Sequence, residues 1–144
     1  MPSFTSQVGD LGLHGPLVEI FVAIPKGLAE QLQKTNKPVP PPLKAIAMID
    51  TGAQLSVLSP TIVAALQLTP VGYANMVTPS TTTPMTTSQH LVDIVFQQGI
   101  TAANVVAIQG TLVGQNIQAL IGRDVLKHGV LIYTGYINQF TLSF

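Results

Sequence analysis

A single aspartate stands at the end of an apolar run and can bring acid chemistry to the edge of a core. Asp50 follows the uncharged run Ala45–Ile49 and precedes Thr51 and Gly52. A lone buried carboxylate is unfavourable unless it is hydrogen-bonded, neutralised or functional. Gly52 permits a tight turn, and the Thr51 hydroxyl can bond to backbone or to a neighbouring strand. An acid held at the tip of a buried strand is suited to catalysis, although an aspartate beside a glycine is most often only a turn.

The elements that would position this acid are short strands. Leu17–Ile24 is rich in β-branched and aromatic residues and ends at Pro25. Lys44–Asp50 is a nearly continuous apolar strand of the kind that is buried on both faces. Many short strands separated by turn signals, with little helix, indicate an all-β barrel or sandwich. The predicted helices are Leu28–Gln33, Thr61–Leu68 after the Ser59-Pro60 start signal, and Arg123–His128.

The composition limits the classes of function. A chain of 144 residues is long enough to bury one sizeable core, so one domain is expected. Only 8% of residues are charged and the net charge is zero, which disfavours a surface for nucleic acid or anionic lipid. The low charge also predicts an oligomer with apolar surface in the subunit contact, although an apolar substrate cleft would give the same signal. The absence of cysteine excludes disulfides, zinc-thiolate sites and a cysteine nucleophile.

Two further classes of site, and a membrane span, are disfavoured by the sequence. His14, His90 and His128 lack a spacing suited to zinc, so no metal is expected. Ser88, His90 and Asp93 are serine-hydrolase residue types, but they lie in one predicted strand without a nucleophile elbow. The amino terminus lacks a basic segment before a long apolar one, and the longest apolar run is far shorter than a membrane span. A cytoplasmic protein without a membrane contact is therefore expected.

Four segments together resemble one known family. Asp50–Ala53, followed by Leu55–Ser59, resembles the active-site loop of retropepsin-like aspartic proteases. Gly15–Ile20 resembles the strand before that loop, and Ala119–Leu126 resembles the apolar pair, glycine and short helix that support it. Phe140–Phe144 resembles the C-terminal strand that such proteases use to dimerise. The resemblance implies an N-terminal extension over residues 1–14 and a retropepsin-like aspartic protease domain over residues 15–144.

The resemblance implies a fold and an activity. The fold is all-β, a retropepsin-like closed β barrel equal to a single pepsin-like half, with one or two short helices, assembling as a homodimer. The activity is that of an aspartic endopeptidase that hydrolyses a polypeptide substrate without a cofactor. The chain has no second Asp-Thr-Gly or Asp-Ser-Gly, so a self-sufficient two-lobed protease is excluded. One Asp50 from each subunit would share a proton, because two carboxylates so close together cannot both ionise easily.

The resemblance also assigns roles to residues around this aspartate. Thr51 would tie the two active-site loops together, Gly52 would bond to the substrate backbone, and Ala53 would support the loop. The hairpin Tyr73–Leu91 would be a flap that closes over the substrate. The flap residues that would meet substrate are Thr81, Thr82 and Thr83, and the residues of the dimer interface are Thr141, Leu142, Ser143 and Phe144.

Three departures from the viral members of the family affect these expectations. Gln54 replaces an acid that would pair with Arg123, as in the eukaryotic ubiquitin-shuttle members, so Arg123 is expected to bond to main-chain carbonyls, to Asp124 or to another acid. The flap tip has prolines and threonines instead of glycines. The insertion Pro25–Lys44 is expected to be a surface loop, either passive or partner-binding. An alternative function is therefore a catalytically weak or inactive dimer of the same fold that acts as a peptide-binding or scaffold module.

Overall fold

A computed structural model of the chain describes residues 1–77, 83–112, 114 and 116–144. Within these residues the chain is mostly β, which confirms the all-β fold class. The described elements, in chain order, are β1 (Ser3–Gln7), α1 (Leu11–His14), β2 (Leu17–Ala23), α2 (Lys26–Lys34), β3 (Leu43–Ile49), β4 (Val57–Leu58), α3 (Pro60–Ala65), β5 (Gly72–Met76), β6 (Met85–Val95), β7 (Thr101–Gln109), β8 (Ala119–Ile121), α4 (Arg123–Leu126), β9 (Val130–Thr134) and β10 (Gln139–Ser143).

The larger sheet closes on itself as a barrel. Its strand order is β2-β3-β8-β4-β7-β6-β5, and β2 pairs in addition with β6. The central position of β3 follows from two pairings, antiparallel to β2 with Val18 opposite Ala47 and parallel to β8 with Met48 opposite Leu120. The strand that leads to Asp50 is therefore held on both edges, inside the predicted closed barrel.

Burial along β3 is more one-sided than its composition indicates. Ala45, Ala47 and Ile49 are buried, as the side-chain alternation of a strand requires for one face. Ile46 and Met48 on the other face are only half-buried. The prediction of a strand fully buried on both faces is therefore wrong for this second face, because apolar composition alone does not say what covers each side.

The helices are short, and one of them was not predicted. The predicted helices correspond to α2, α3 and α4, and the Ser59 Oγ accepts a hydrogen bond from the Ile62 N–H at 3.4 Å as an N-cap. The additional turn α1 is capped by Asp10, whose carboxylate accepts from the Leu13 N–H at 2.9 Å, and it ends at Gly15 with φ of 74°. The described chain thus has four short α-helices, where the residue patterns predicted three and the resemblance implied one or two. None of its helices has both the length and the apolarity needed to cross a membrane.

The smaller sheet joins the two ends of the chain. Its order is β1-β10-β9, with both pairs antiparallel and Ser3 opposite Ser143. Phe4, Phe140 and Leu142 are buried beneath it. Residues 1–14 thus contribute β1 and α1 to the fold, and β10 lies in the middle of this sheet.

One buried histidine lies on strand β6. His90 is 2% exposed, and its Nε2 lies 2.9 Å from the Ser88 Oγ. Its Nδ1 has no hydrogen-bond partner among the described residues. Burial lowers the pKa of His90 below its usual 6.5, and the nearby backbone of Thr69 offsets this effect only in part.

We expect His90 to make the fold less stable in acid. Because the unfolded chain takes up a proton below about pH 6.5 before the folded chain does, the free energy of unfolding falls as the pH drops through the lowered pKa. In urea unfolding, the variant His90→Leu should lose less unfolding free energy than the wild type between neutral and mildly acidic pH. An unchanged slope in His90→Leu would contradict this assignment.

Candidate active site

Asp50 is fixed by the strands on either side of it. The Ile49 N–H donates to the carbonyl of Pro16 at 3.0 Å, and the Asp50 N–H donates to the carbonyl of Ile121 at 2.9 Å. These bonds continue the pairing of β3 with β2 and with β8 to the last residue of the strand. The Asp50 side chain is half-buried, so it is held by the core and still reaches the surface.

The Asp50 carboxylate closes the turn that follows it. The Gly52 N–H donates to Asp50 Oδ1 at 2.8 Å, and the Ala53 N–H donates to the Asp50 carbonyl at 3.2 Å. A Cβ at Gly52 would lie 3.1 Å from the same Oδ1, so a larger residue here would press on the carboxylate. Thr51 and Gly52 are exposed and Ala53 is half-buried. Of the three residues expected to support the loop, Gly52 binds the carboxylate, Ala53 binds the Asp50 main chain, and Thr51 is exposed between them.

Helix α4 fixes the turn by hydrogen bonds to the turn's main-chain carbonyls. The Arg123 Nη1 donates to the carbonyl of Thr51 at 2.7 Å, and the Arg123 N–H donates to the carbonyl of Ala53 at 2.9 Å. The Asp124 N–H donates to the carbonyl of Gln54 at 3.2 Å. Of the partners considered for the Arg123 side chain, the structure shows a main-chain carbonyl.

Ser56 and Asp124 form a second connection, which the sequence does not predict. Ser56 is fully buried, and its N–H and Oγ donate to the two oxygens of the Asp124 carboxylate at 3.0 and 2.8 Å. The Ser56 Oγ also accepts from the Gly122 N–H at 3.0 Å, and the Asp124 carboxylate accepts from the Val125 N–H. Two signals were present in the sequence, a serine inside an apolar strand and an acid in the first turn of a helix.

The close approach of these segments requires a glycine at position 122. A Cβ at Gly122 would lie 2.7 Å from the carbonyl oxygen of Leu55 and 3.0 Å from the nitrogen of Ser56. Because both neighbours are backbone atoms, neither can move aside without displacing the loop that follows Asp50. The loop from Asp50 to Ser56 and the segment from Gly122 to Asp124 therefore form one packed unit.

We expect Ser56→Ala to destabilise this unit. The change removes a donor to the Asp124 carboxylate and leaves the buried Gly122 N–H without its acceptor, which costs about 1–3 kcal/mol of unfolding free energy. Chemical denaturation measures this loss. The matched variant Ser143→Ala, whose hydroxyl donates to the carbonyl of Pro2 at 3.3 Å near the surface, should change stability by less than about 0.5 kcal/mol. Equal losses in the two variants would contradict the structural role of Ser56.

The hairpin predicted as a flap is present as a hairpin. β5 pairs antiparallel with β6, from Gly72 opposite Gln89 to Met76 opposite Met85. Thr81 and Thr82 lie outside the described residues, and Thr83 is exposed next to them. Two of the three predicted substrate contacts therefore have no described position.

The predicted interface residues make contacts within their own chain. The Thr141 Oγ1 lies 2.7 Å from the Thr5 Oγ1, and Leu142 is fully buried. The Ser143 hydroxyl and the Phe144 N–H both donate to the carbonyl of Pro2. Because β10 pairs with β1 on one edge and with β9 on the other, the outer strands of this described sheet are β1 and β9.

Other residues singled out in the sequence are engaged elsewhere or lie apart. Among the described residues, no group of three histidine, aspartate or glutamate side chains is arranged to hold a metal ion. Ser88 contacts His90, but both oxygens of Asp93 accept backbone N–H groups, from Lys26 and Asn104, so these three residues form no triad. Four surface grooves of about 440 to 770 Å³ lie on the described chain, and Asp50 lines none of the four.

Comparisons with known proteins agree with this architecture. A family model described as aspartyl protease matches residues 42–125, which is more than half of the chain. The crystal structure of a retropepsin-like aspartic protease from Rickettsia conorii is similar over 100% of this chain and 95% of that chain, with a TM-score of 0.53 and 14% identity. The retroviral protease-like domain of Ddi1 from Leishmania major is less similar, with a TM-score of 0.42, 13% identity and coverage of 81% and 80%. No curated protein sequence matches the chain. The Rickettsia structure supports a retropepsin-like fold.

Proposed function

The chain belongs to the aspartyl protease family, and from that membership we propose that it is a homodimeric aspartic endopeptidase with Asp50 as the catalytic residue of each subunit. The observation that carries the proposal is the position of Asp50 at the end of a core strand, in a turn closed by its own carboxylate and fixed from behind by α4.

The proposed reaction uses a water molecule held between two Asp50 carboxylates. One carboxylate is ionised and takes a proton from the water as it attacks the peptide carbonyl. The other is protonated, polarises that carbonyl and then gives its proton to the leaving nitrogen. The pair shares one proton because two like charges at short distance are unfavourable, which is a known property of aspartic-protease dyads. No cofactor and no metal enters this reaction.

The second carboxylate must come from a second subunit. Asp10 caps α1, Asp93 accepts backbone N–H groups, and the Asp124 carboxylate is occupied by Ser56 and by the Val125 N–H. These three are the other aspartates of the chain, so none of them is free to pair with Asp50 in the folded subunit. In the proposed dimer, Thr51 of each subunit ties the two loops together, Gly52 binds substrate backbone, and Ala53 supports the turn.

The proposed dimer contact includes the outer face of β9. Val130 and Ile132, two residues apart on one face of this strand, are 47% and 54% exposed, and Tyr136 beyond it is 89% exposed. An outer strand with apolar side chains needs a cover, and a twofold contact of β9 with its copy would supply one. Thr141, Ser143 and Phe144, which are half-buried in the single subunit, are proposed to belong to the same contact, and the fully buried Leu142 to support it from the core.

The rest of the chain is assigned around this site. The β5–β6 hairpin is proposed as the flap, with Thr81, Thr82 and Thr83 at its substrate end. Residues 15–144 are proposed as the protease domain, and residues 1–14 as an extension that adds β1 to the sheet of the dimer contact. The substrate is a polypeptide bound in extended form.

The test is cleavage of a diverse peptide pool at several pH values, with the subunit mass of the same samples measured by sedimentation. The proposal expects cleavage whose rate per subunit falls on dilution as the dimer dissociates. A monomer that cleaves peptides at a constant rate per subunit would overturn the shared site. A stable dimer that cleaves no peptide in the pool would overturn the endopeptidase and favour the alternative of a peptide-binding module.

A further inference from the structure

A groove of about 770 Å³ lies between α2, the proline run after it and the segment from Leu66 to Val71. This volume is within the range of about 300–1,000 Å³ that ligand-binding pockets occupy. We propose that the groove binds a short segment of a partner protein in which apolar side chains alternate with carboxylates. This function is separate from peptide hydrolysis and does not depend on the activity of Asp50, which does not line the groove.

The walls of the groove supply apolar contact. Leu28 is 43% exposed on the side of α2, and Val71 is exposed on the opposite side. Single exposed apolar residues are common on protein surfaces, but a concave set of them is typical of a binding site. The apolar residues of the groove that keep some exposed surface are Leu28, Leu32, Leu68, Val71 and Leu91.

The charges beside the groove favour an acidic partner. Residues 26–37 contain three lysines and one glutamate, a net charge of +2 in a chain whose net charge is zero. Half of the six lysines and arginines of the chain are therefore in this segment. Lys37 lines the groove, and Lys26 and Lys34 are exposed at the two ends of α2. Such an arrangement selects carboxylates and speeds their encounter with the surface.

The groove is formed before any partner arrives. Pro38 and Pro40 stiffen one wall and offer no N–H groups, so a partner on this wall is held mainly by its side chains. The buried Asp93 carboxylate fixes the start of α2, which forms another wall, by accepting the Lys26 N–H at 3.0 Å. Because such a groove does not have to rearrange, binding costs less free energy for ordering its side chains and backbone.

A second copy of this chain does not supply the required segment. The chain has six acidic residues, and the two that are closest in sequence, Asp10 and Glu19, are nine residues apart. No short stretch of the chain therefore carries alternating carboxylates. The partner is accordingly a different protein with an acidic, leucine-containing segment.

The test measures binding of labelled peptides to the full chain by fluorescence anisotropy, in an Asp50→Asn background so that peptides are not cleaved. One peptide intersperses leucine with glutamate, and two matched peptides carry glutamine or lysine in place of glutamate. The glutamate peptide should bind, and its affinity should fall with added salt. Leu28→Asp and Lys37→Glu should each weaken it about tenfold, whereas Lys127→Glu, the same charge change on an exposed residue that does not line this groove, should not.

Three results would overturn the proposal. The first is that no peptide binds, and the second is that the lysine and glutamate peptides bind equally well. The third is that Leu28→Asp and Lys37→Glu leave the affinity for the glutamate peptide unchanged. Circular dichroism checks that each variant is folded. Because the Lys37 side chain is exposed, Lys37→Glu keeps the test decisive even if Leu28→Asp proves unstable.

Discussion

Asp50→Asn is expected to lower peptide hydrolysis by at least about 10³-fold while the protein stays folded and dimeric. The amide cannot take a proton from water or share one with its mate, and general acid–base groups typically contribute about 10²–10⁴-fold each. Asparagine has nearly the same shape, and its Oδ1 can still accept the Gly52 N–H. The loss should therefore appear in the rate of cleavage without a comparable loss of unfolding free energy.

Mixing the variant with wild-type protein makes this experiment sharper. If each active unit needs two ionisable Asp50 side chains, excess Asp50→Asn subunits should suppress wild-type activity by forming mixed dimers. Asp10→Asn is the matched control, because it makes the same chemical change at an exposed cap of α1 and should leave activity intact. Activity that survives in purified Asp50→Asn would assign the cleavage to another site or to a contaminant.

The sequence predicts well those features that depend only on neighbouring residues. The apolar run before Asp50, the glycine after it and the Ser59-Pro60 helix start each act within a few residues, and the structure has β3, the closed turn and α3 at these places. The turn also shows why a local pattern is incomplete. A side chain at position 52 would press on the Asp50 carboxylate, and that contact depends on where the carboxylate points.

The features that the sequence does not predict depend on contacts between distant residues. Ser56 and Asp124 are 68 residues apart. A serine in an apolar strand and an acid in the first turn of a helix are each noticeable in the sequence, but nothing near either residue identifies the other as its partner. The place of β10 is a second example. Whether Leu142 faces a partner subunit or its own core depends on β1, whose Phe4 is opposite Leu142 across the sheet. A strand that matches a dimerising segment locally can thus be internal because the other end of the chain covers it.

This internal position changes how the dimer should be tested. Deleting Phe140–Phe144 would remove fully buried Phe140 and Leu142 from the core, so a loss of activity would not separate dimerisation from folding. A substitution on the outer face of β9 avoids that difficulty. Ile132 is suited to it because more than half of its side chain is exposed in the single subunit.

Ile132→Asp is expected to convert the dimer to a folded monomer and to remove activity with it. If Ile132 is buried between subunits, the change places an unpaired carboxylate in the contact and on its twofold copy. A central interface residue contributes about 2–4 kcal/mol, so the dissociation constant should rise by about 30- to 1,000-fold. Sedimentation over a range of concentrations gives this constant, and thermal unfolding shows whether the monomer remains folded.

The control decides between a specific contact and a general effect of added charge. Val106 lies on β7 and is also exposed, so Val106→Asp makes a comparable change on the barrel rather than on the smaller sheet. Val106→Asp should keep both the dimer and the activity. Activity of Ile132→Asp that returns at high protein concentration would show that the catalytic turn is intact and lacks only its partner. An Ile132→Asp protein that stays dimeric at every concentration would place the contact elsewhere, and the other outer strand, β1, would then be the next surface to change.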